Sequence, residues 1–272
     1  MKHITVAVHG ALGKVGKEIV VGVARDPDLS LIGAVDIQAT RDSLDLPDTG
    51  KKIPLAKKLD SFLKSYHPQV LVDFSIAEAA VAAARLALKQ GVHLVSGTTG
   101  ISDSELKEID RLAKANKVGV VVAPNFALGA VVLMYLAKIA ARYFDHVEIV
   151  ELHHNQKVDA PSGTALATAR GMLQARGKPF VHTPTKKENL SGTRGGEVEG
   201  ITIHSVRLPG FVASEEVVFG GQGQTLTLRH DTINRECYIP GVLLAIKEVV
   251  KLKGLVYGLE ELLQLGGDNE VV

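Results

Sequence analysis

The chain has 272 residues, 46% of them hydrophobic, which is enough for one large domain or two modest ones with buried cores. Its 31 basic and 30 acidic residues leave a formal net charge of +1. This balance provides no long-range field for nucleic acid or an anionic membrane, so we expect a small-molecule partner. The single cysteine, Cys237, cannot form an internal disulfide. Because no apolar run suits a signal peptide or the roughly 18 residues of a membrane span, we expect a cytoplasmic protein.

Over residues 1–126, short runs rich in Val, Ile and Leu alternate with helical patterns. The predicted strands cover residues 4–9, 31–35, 70–74, 93–96 and 118–123, and the predicted helices begin near Lys14, after Ser75 and at Ser102. Strands that alternate with helices need crossover connections, which build a parallel sheet with helices on both faces. We therefore expect an α/β protein whose first domain, residues 1–126, is of the Rossmann type.

The pattern changes after residue 126. The predicted elements are then a helix at 128–143, a strand at 146–152, a helix at 164–175 and strands at 201–207, 216–219 and 225–230. Short turns connect the last three strands, so we expect an α+β domain with a mainly antiparallel sheet over residues 127–239. The apolar spacing after residue 239 predicts C-terminal helices, residues 240–272, that complete the first domain.

Three glycines follow the first predicted strand. Gly10, Gly13 and Gly16 have the spacing G-x-x-G-x-x-G at the mouth of a helix, a variant of the dinucleotide-binding fingerprint. Such glycines let backbone N–H groups approach a pyrophosphate at the helix N-terminus. The alternative is a tight strand-to-helix turn without a ligand.

Asp36 ends the second predicted strand, twenty residues after Gly16. A carboxylate there accepts hydrogen bonds from the adenosine ribose of a nicotinamide dinucleotide, although a simple turn residue is the alternative. Its charge repels a 2′-phosphate, and Ile37 rather than arginine follows it. We therefore predict NADH as the preferred cofactor, with NADPH also used. The cations of the loop beyond, which would favour NADPH, are Arg41, Lys51 and Lys52.

Further candidate residues lie at strand ends, where ligands of open α/β sheets bind. Phe74 and Ser75 follow one strand, and a glycine with two threonine hydroxyls follows the next, where a helix-capping loop is the alternative. At the domain junction, the aromatic ring of Phe126 and the amide of Asn125 either lie near a nicotinamide or belong to the core. The predicted cofactor-binding residues here are Gly97, Thr98, Thr99, Pro124, Asn125 and Phe126, and Thr99 is also predicted to contact substrate.

The densest polar cluster covers residues 151–164, from a strand end through a loop to a helix start. Free N–H groups of Ser162, Gly163 and Thr164 at the helix N-terminus would bind a carboxylate. The cationic or proton-carrying groups of the same loop are His153, His154 and Lys157. Together they suit an anionic substrate that gains a proton after hydride arrives.

A metal site built from Glu151, His153 and His154 is the rival interpretation of this cluster. Adjacent histidines on a strand point to opposite faces, no H-x-x-x-H spacing occurs, and Cys237 is far away in sequence. We therefore predict no metal. A purely structural, solvated loop is a further alternative, but such loops seldom coincide with a Ser-Gly-Thr helix start.

The string ELHHNQKVDAPSGTAL resembles the signature of the dihydrodipicolinate reductase (4-hydroxy-tetrahydrodipicolinate reductase) family, commonly E-x-H-H-x-x-K-x-D-A-P-S-G-T-A. The glycine turn and the segments VDFS, SGTTG, APNF, RGG, IHSVRLPG and FGGQGQTLTLRHD resemble the same family, so the likeness covers nearly the whole chain. Two departures occur. Lys14 and Val15 replace Arg-Met, and Ala127 replaces a serine, which could alter contacts near the nicotinamide.

The resemblance implies that His153 is a proton donor or acceptor, that Lys157 is a proton donor, and that His154, Gly163 and Thr164 bind substrate. The positions that it implies for the nicotinamide cofactor are Gly10, Ala11, Leu12, Gly13, Lys14, Val15, Asp36, Gly97, Thr98, Thr99, Ala123, Pro124, Asn125 and Phe126. It also implies NADH- or NADPH-dependent reduction of 4-hydroxy-tetrahydrodipicolinate to tetrahydrodipicolinate, with loss of water, in lysine and diaminopimelate biosynthesis. The family's architecture implies a homotetramer assembled through the second domain. Two alternatives stay open: a reductase of another small dicarboxylate or amino acid, and a non-catalytic dinucleotide-sensing protein.

Overall fold

The structure, a computed structural model, describes residues 3–47 and 50–265. The chain divides into two units. Unit 1 comprises Met1–Ala127 and Arg235–Val272, and unit 2 comprises Leu128–Asn234. Residues 266–272, the end of the segment for which C-terminal helices were expected, lie outside the described residues. No helix in the described part of the chain is both long and apolar enough to cross a membrane.

Strands and helices alternate through the first segment of unit 1. In chain order they are β1 (Ile4–His9), α1 (Gly16–Arg25), β2 (Leu29–Val35), β3 (Ser43–Asp45), β4 (Lys52–Ala56), α2 (Leu59–Tyr66), β5 (Val70–Asp73), α3 (Ala77–Lys89), β6 (His93–Ser96), α4 (Asp103–Asn116) and β7 (Gly119–Val122). Local chemistry sets the helix boundaries. At the start of α4, Ser102 and Glu105 form a capping box, in which each side chain accepts a hydrogen bond from the other's backbone N–H.

Unit 2 contains the next elements. They are α5 (Leu128–Ala140), β8 (His146–His153), α6 (Gly163–Arg176), β9 (Gly196–Val198), β10 (Ile201–Arg207), β11 (Ala213–Gly221) and β12 (Gln224–Thr232). The strand order is β12-β11-β8-β10-β9, and only the β8–β10 pair is parallel. The predicted mainly antiparallel sheet is therefore confirmed. The side chains that form its core with α5 and α6 include Leu133, Val147, Ile149, Met172, Val217 and Phe219.

The chain then returns to unit 1 through a 3₁₀-helix (Arg235–Tyr238), α7 (Ile239–Val249) and β13 (Gly254–Tyr257). The prediction of helix through residue 265 is wrong, because β13 pairs in parallel with β7. A four-residue apolar run has too few positions for its period to separate a strand from a helical turn. What decides its conformation is the free edge of β7, which is distant in sequence.

The sheet of unit 1 has the strand order β13-β7-β6-β5-β1-β2-β4-β3, and every pair except β3–β4 is parallel. This confirms the predicted Rossmann-type parallel sheet. The carboxyl ends of β1, β5 and β6 lie side by side, because His9 is in register with Asp73 and Asp73 with Ser96. The loops after β1 and β6 contain two of the predicted groups of cofactor residues, at 10–15 and 97–99.

Candidate active site

The conformation of the glycine turn in unit 1 is fixed by close backbone packing and by hydrogen bonds to Asp36. Gly10 has φ +75°, and a Cβ there would lie 2.4 Å from the carbonyl oxygen of Phe74, so only glycine fits. The N–H of Leu12 donates to Asp36 Oδ2 at 2.8 Å, and that of Gln38 donates to Oδ1 at 2.8 Å. Asp36 therefore shapes the turn itself, and each of its oxygens keeps a lone pair for a further donor.

The turn offers fewer free amides than expected. The N–H groups of Gly10 and Ala11 bond to the Val35 carbonyl, that of Leu12 bonds to Asp36, and that of Gly13 bonds to the Gly10 carbonyl. Among residues 3–47 and 50–265, no acceptor pairs with the N–H of the next two residues, Lys14 and Val15. An anion at this helix start would therefore meet the amides of these two residues rather than those of the four before them.

The Thr98 hydroxyl was expected to be available to a ligand, but in the structure it is hydrogen-bonded within the protein. The residue is 7% exposed, and its Oγ1 donates to Asp73 Oδ2 at 2.7 Å and accepts from the Ser75 N–H at 3.1 Å. Thr99, next in the chain, is exposed. It lines a cavity of about 50 Å³ together with Thr98, Pro124 and Tyr257, so the structure brings the two predicted strand-end segments together. Tyr257 was missed because β13 was predicted to be helical.

The side chains of the second segment are largely engaged within unit 1. Asn125 Oδ1 accepts a hydrogen bond from the Ala127 N–H at 2.9 Å. Phe126 is 1% exposed, and its ring centroid lies 5.6 Å from that of Phe74. Of the two alternatives stated for this ring, the structure favours the second, because the Phe126 ring is part of the hydrophobic core.

In unit 2, a buried carboxylate orients the histidine at the end of β8. Glu151 and His153 are two residues apart on this strand and thus share one face. Glu151 is fully buried, and its Oε2 accepts a hydrogen bond from His153 Nδ1. Arg207, at the end of β10, donates to both carboxylate oxygens, at 2.9 and 2.7 Å. The sequence analysis missed Arg207 and considered Glu151 only as a metal ligand, although the E-x-H spacing on a strand was a usable signal.

The pKa directions agree with this geometry. Burial opposes ionisation of Glu151, but hydrogen bonds from Arg207, Ser205 and His153 outweigh it and hold the pKa of Glu151 below its ordinary value. Burial lowers the pKa of His153, and the charges of Lys157 and Arg207 lower it further, against the opposing pull of Glu151. At neutral pH Glu151 is therefore ionised and His153 neutral. The Nδ1–H donates to Glu151, which leaves Nε2 as a proton acceptor.

The loop after β8 fixes the proposed proton donor. Lys157 Nζ lies 2.8 Å from Asp159 Oδ1. Its hydrogen bond lowers the pKa of Asp159 and keeps that carboxyl ionised. The Lys157 N–H donates to the carbonyl of His154, which is half-buried in the same loop. The Asp159 carbonyl accepts from Arg207 Nη2 at 2.7 Å, so Arg207 ties this loop to Glu151.

The start of α6 differs from expectation at Ser162. This residue is 2% exposed, its N–H donates to Glu151 Oε1 at 3.3 Å, and its Oγ accepts from the Ala165 N–H at 3.1 Å. Ser162 is thus an N-cap whose amide is occupied, not a free donor. Within the described segments, the N–H groups of Gly163 and Thr164 have no acceptor. The predicted carboxylate seat is reduced to these two amides.

The metal interpretation receives no support from the arrangement of side chains. Both carboxylate oxygens of Glu151 accept hydrogen bonds, from Arg207, His153 and Ser162. Across residues 3–47 and 50–265, no group of three or more His, Cys, Asp and Glu side chains is placed to hold a metal ion.

Comparison with known proteins assigns the chain to a family. The family description "Dihydrodipicolinate reductase, N-terminus" matches residues 4–126, and "Dihydrodipicolinate reductase, C-terminus" matches residues 129–263. The chain belongs to the dihydrodipicolinate reductase family. The resemblance carried by the sequence motifs is therefore confirmed, and dihydrodipicolinate reductases use a nicotinamide dinucleotide.

Individual relatives are similar in sequence to this chain along nearly their whole length. The 4-hydroxy-tetrahydrodipicolinate reductase of Dehalococcoides mccartyi (strain BAV1) is 51% identical over 97% of this chain and 100% of the relative, and that of Moorella thermoacetica is 51% identical over 96% and 98%. The dipicolinate-bound dihydrodipicolinate reductase of Paenisporosarcina sp. TG-14 has a TM-score of 0.85 at 42% identity, covering 95% of this chain and 99% of that one. An amine dehydrogenase of Mycobacterium smegmatis, 17% identical with a TM-score of 0.65 over 93% and 94% of the two chains, shares the fold alone.

Proposed function

We propose that this protein reduces 4-hydroxy-tetrahydrodipicolinate to tetrahydrodipicolinate with a reduced nicotinamide dinucleotide, as a step of diaminopimelate and lysine biosynthesis. Relatives of that name, 51% identical over their full length, support the reaction. The observation that carries it in this chain is the group in unit 2. A neutral His153 oriented by Glu151, the ammonium of Lys157 and two free helix-start amides lie in one short segment.

The substrate's carboxylate would bind the N–H groups of Gly163 and Thr164 at the start of α6. The partial positive charge of the helix N-terminus adds to these two donors. Apart from its chain neighbours and its own helix backbone, no heavy atom of the described residues lies within 4 Å of a Cβ built on Gly163, so this side of the helix start is uncrowded. His154 supplies a further polar contact from the same loop. The Paenisporosarcina relative binds dipicolinate, a dicarboxylate, which supports a seat for an anionic ring acid in this family.

The dinucleotide would bind to unit 1. Its pyrophosphate would accept hydrogen bonds from the amides of Lys14 and Val15, and its adenosine ribose would donate to Asp36. Thr99 and Pro124, which line the small cavity at the neighbouring strand ends, would contact the nicotinamide end. NADH is the preferred form, because Asp36 repels a 2′-phosphate and the residue after it, Ile37, is uncharged and 78% exposed.

When bound, the cofactor supplies the hydride. The 4-hydroxyl would leave as water together with a proton from an adjacent ring carbon, hydride would add at C4, and the ring carbon next to C4 would then take up a proton. Lys157 is assigned as the source of this proton, because its ammonium is held by Asp159. His153, neutral and with Nε2 free to accept, is assigned to proton exchange with substrate or Lys157. A positioned acid of this kind contributes roughly 10²–10⁴-fold to the rate.

The proposed assembly is a homotetramer formed through unit 2. Alternate residues of its strands face away from the α5–α6 side of the sheet. Val150, Leu152 and Val218 lie on this second face and are half-buried, which gives it an apolar character suited to a subunit contact. A monomeric mass by light scattering at micromolar concentration would contradict this assembly.

Turnover of the reduced cofactor tests the proposed function. The absorbance of NADH is followed while 4-hydroxy-tetrahydrodipicolinate is generated in situ by the enzyme that forms it. Loss of NADH that depends on both this protein and the substrate is expected. Binding of NADH without its consumption would instead indicate a dinucleotide-sensing protein, and consumption with a different dicarboxylate only would indicate another reductase.

A further inference from the structure

A row of polar side chains crosses the sheet of unit 1 at its carboxyl edge. His9 on β1, Asp73 on β5 and Ser96 on β6 are in register and face the same side. The residues two positions earlier on the same strands are Ala7, Leu71 and Leu94, all within the hydrophobic core. Asp73 itself is fully buried. A buried carboxylate directly above an apolar layer is costly unless hydrogen bonds compensate for its lost hydration.

Four donors surround this carboxylate. His9 Nδ1 and Ser75 Oγ each lie 2.7 Å from Oδ1. Thr98 Oγ1 lies 2.7 Å and Ser96 Oγ 3.1 Å from Oδ2. Two donors on each oxygen use the lone pairs that a carboxylate offers. Asp73 therefore has no capacity left for a ligand, and any effect on binding must act through the residues that it holds.

Those residues lie within or directly beside three separate loops of the proposed cofactor site. His9 directly precedes the glycine turn, Ser75 follows β5, and Thr98 follows β6. Thr98 also links two of the loops, since its Oγ1 accepts the Ser75 N–H at 3.1 Å. Packing reinforces these links, because a Cβ on Gly97 would lie 2.2 Å from the Phe74 ring.

We propose that Asp73 is a positioning residue for the nicotinamide dinucleotide, which fixes the glycine turn, the Ser75 loop and the Thr98 loop relative to one another. The inference rests on the cofactor site proposed for unit 1. A site whose loops are already ordered loses less conformational entropy when ligand binds, so it binds more tightly than a loose one. Asp73 thus controls affinity for the dinucleotide, whereas proton transfer and substrate binding belong to residues of unit 2.

The test compares Asp73→Asn with a matched pair at Thr98. Asparagine keeps the size of the side chain but cannot accept four hydrogen bonds. Thr98→Val keeps the shape and loses the hydroxyl, whereas Thr98→Ser keeps the hydroxyl. Asp110→Asn is the control for loss of a carboxylate in unit 1, because Asp110 bonds to the Leu255 N–H at the amino end of β13, the opposite edge of the sheet. The measurements are Kd for NADH by nicotinamide fluorescence, KM for NADH and for substrate, and kcat at saturating NADH.

For Asp73→Asn we expect Kd and KM for NADH to rise at least about tenfold, while KM for substrate and kcat stay within about threefold of wild type. Thr98→Val should show a smaller rise in the same direction, and Thr98→Ser and Asp110→Asn should stay close to wild type. If Asp73→Asn does not fold, the Thr98 pair gives the same comparison.

Three results would overturn the inference. The first is an unchanged Kd for NADH in Asp73→Asn or, should that variant not fold, equal Kd values in the two Thr98 variants. The second is a fall in kcat that accompanies the loss of affinity, which would indicate general disruption. The third is an equal effect of Asp110→Asn. Wild-type protein that binds neither NADH nor NADPH would be a different failure, because it would remove the proposed cofactor site as well.

Discussion

Replacement of Glu215 by glutamine should stabilise the protein increasingly as the pH rises from 5 to 8. Glu215 lies on β11 and is 6% exposed, and its in-register neighbours are Glu151 on β8 and His230 on β12. Among the residues that the structure describes, none is a hydrogen-bond partner for its Oε1. Burial raises the pKa of Glu215 to about 7, and the negative charge of Glu151 adds to this effect, while a hydrogen bond with Thr168 opposes it.

The size of the effect follows from the difference between the folded and unfolded pKa. An unfolded glutamate titrates near 4.5, so the folded protein binds the extra proton between this pH and about 7. The stability that the protonated form provides is complete below pH 4.5 and is lost as the pH rises through about 7. A pKa difference of about 2.5 corresponds to about 3 kcal/mol, most of which falls between pH 5 and 8. Glutamine stays neutral throughout and escapes this loss.

The assay is urea denaturation of wild type and Glu215→Gln at pH 5, 6, 7 and 8. The quantity that matters is the change with pH in the difference between their free energies of unfolding, since a constant offset reports only packing. We expect this difference to move by about 2–3 kcal/mol in favour of the variant. Glu108→Gln is the control, because the hydrogen bond from Arg85 lowers the pKa of Glu108, so that its stabilising contribution is lost only at acidic pH. A difference that stays flat for Glu215→Gln would refute the reasoning.

Three further predictions concern the proposed site. Lys157→Ala should lower kcat by roughly 10²–10⁴-fold and leave Kd for NADH unchanged, because it removes an acid from an open loop; near-normal kcat in steady-state assays would exclude the role. Gly163→Val should raise KM for substrate more than Thr164→Ala does, since the added side chain obstructs the amide seat, while its Cβ meets no heavy atom of the described residues within 4 Å beyond its chain neighbours and its own helix backbone. Unchanged KM in both variants would place the carboxylate elsewhere. Ile37→Arg should improve kcat/KM with NADPH relative to NADH. In the wild type, a preference for NADPH above about tenfold, or ~1.4 kcal/mol, would show that the loop cations outweigh the charge of Asp36.

The features that the sequence predicted well are those set by neighbouring residues. The strand predicted at 201–207 is β10 (Ile201–Arg207), because its β-branched run and flanking turns carry the signal locally. The helix N-terminus at Ser162 to Thr164 was predicted for the same reason, since Ser162 caps α6. The glycine turn and the polar loop before α6 were likewise read from contiguous residues.

The features that were missed depend on contacts between distant parts of the chain. Arg207 meets Glu151 across 56 positions, and only because β10 lies parallel to β8. Asp73 gathers donors from three loops, and β13 is a strand only because β7 has a free edge. The same contacts explain the errors at Ser162 and Thr98. Their amide or hydroxyl is free in an isolated loop but is taken by a buried carboxylate in the folded unit.

The central claim is that this chain transfers hydride from a reduced nicotinamide to the substrate ring. The most direct measurement uses NADH carrying deuterium at both C4 positions, with the product analysed by mass spectrometry. We predict tetrahydrodipicolinate that contains one deuterium bonded to carbon, formed in step with NADH oxidation. Unlabelled tetrahydrodipicolinate, or oxidation of NADH without this product, would contradict the account.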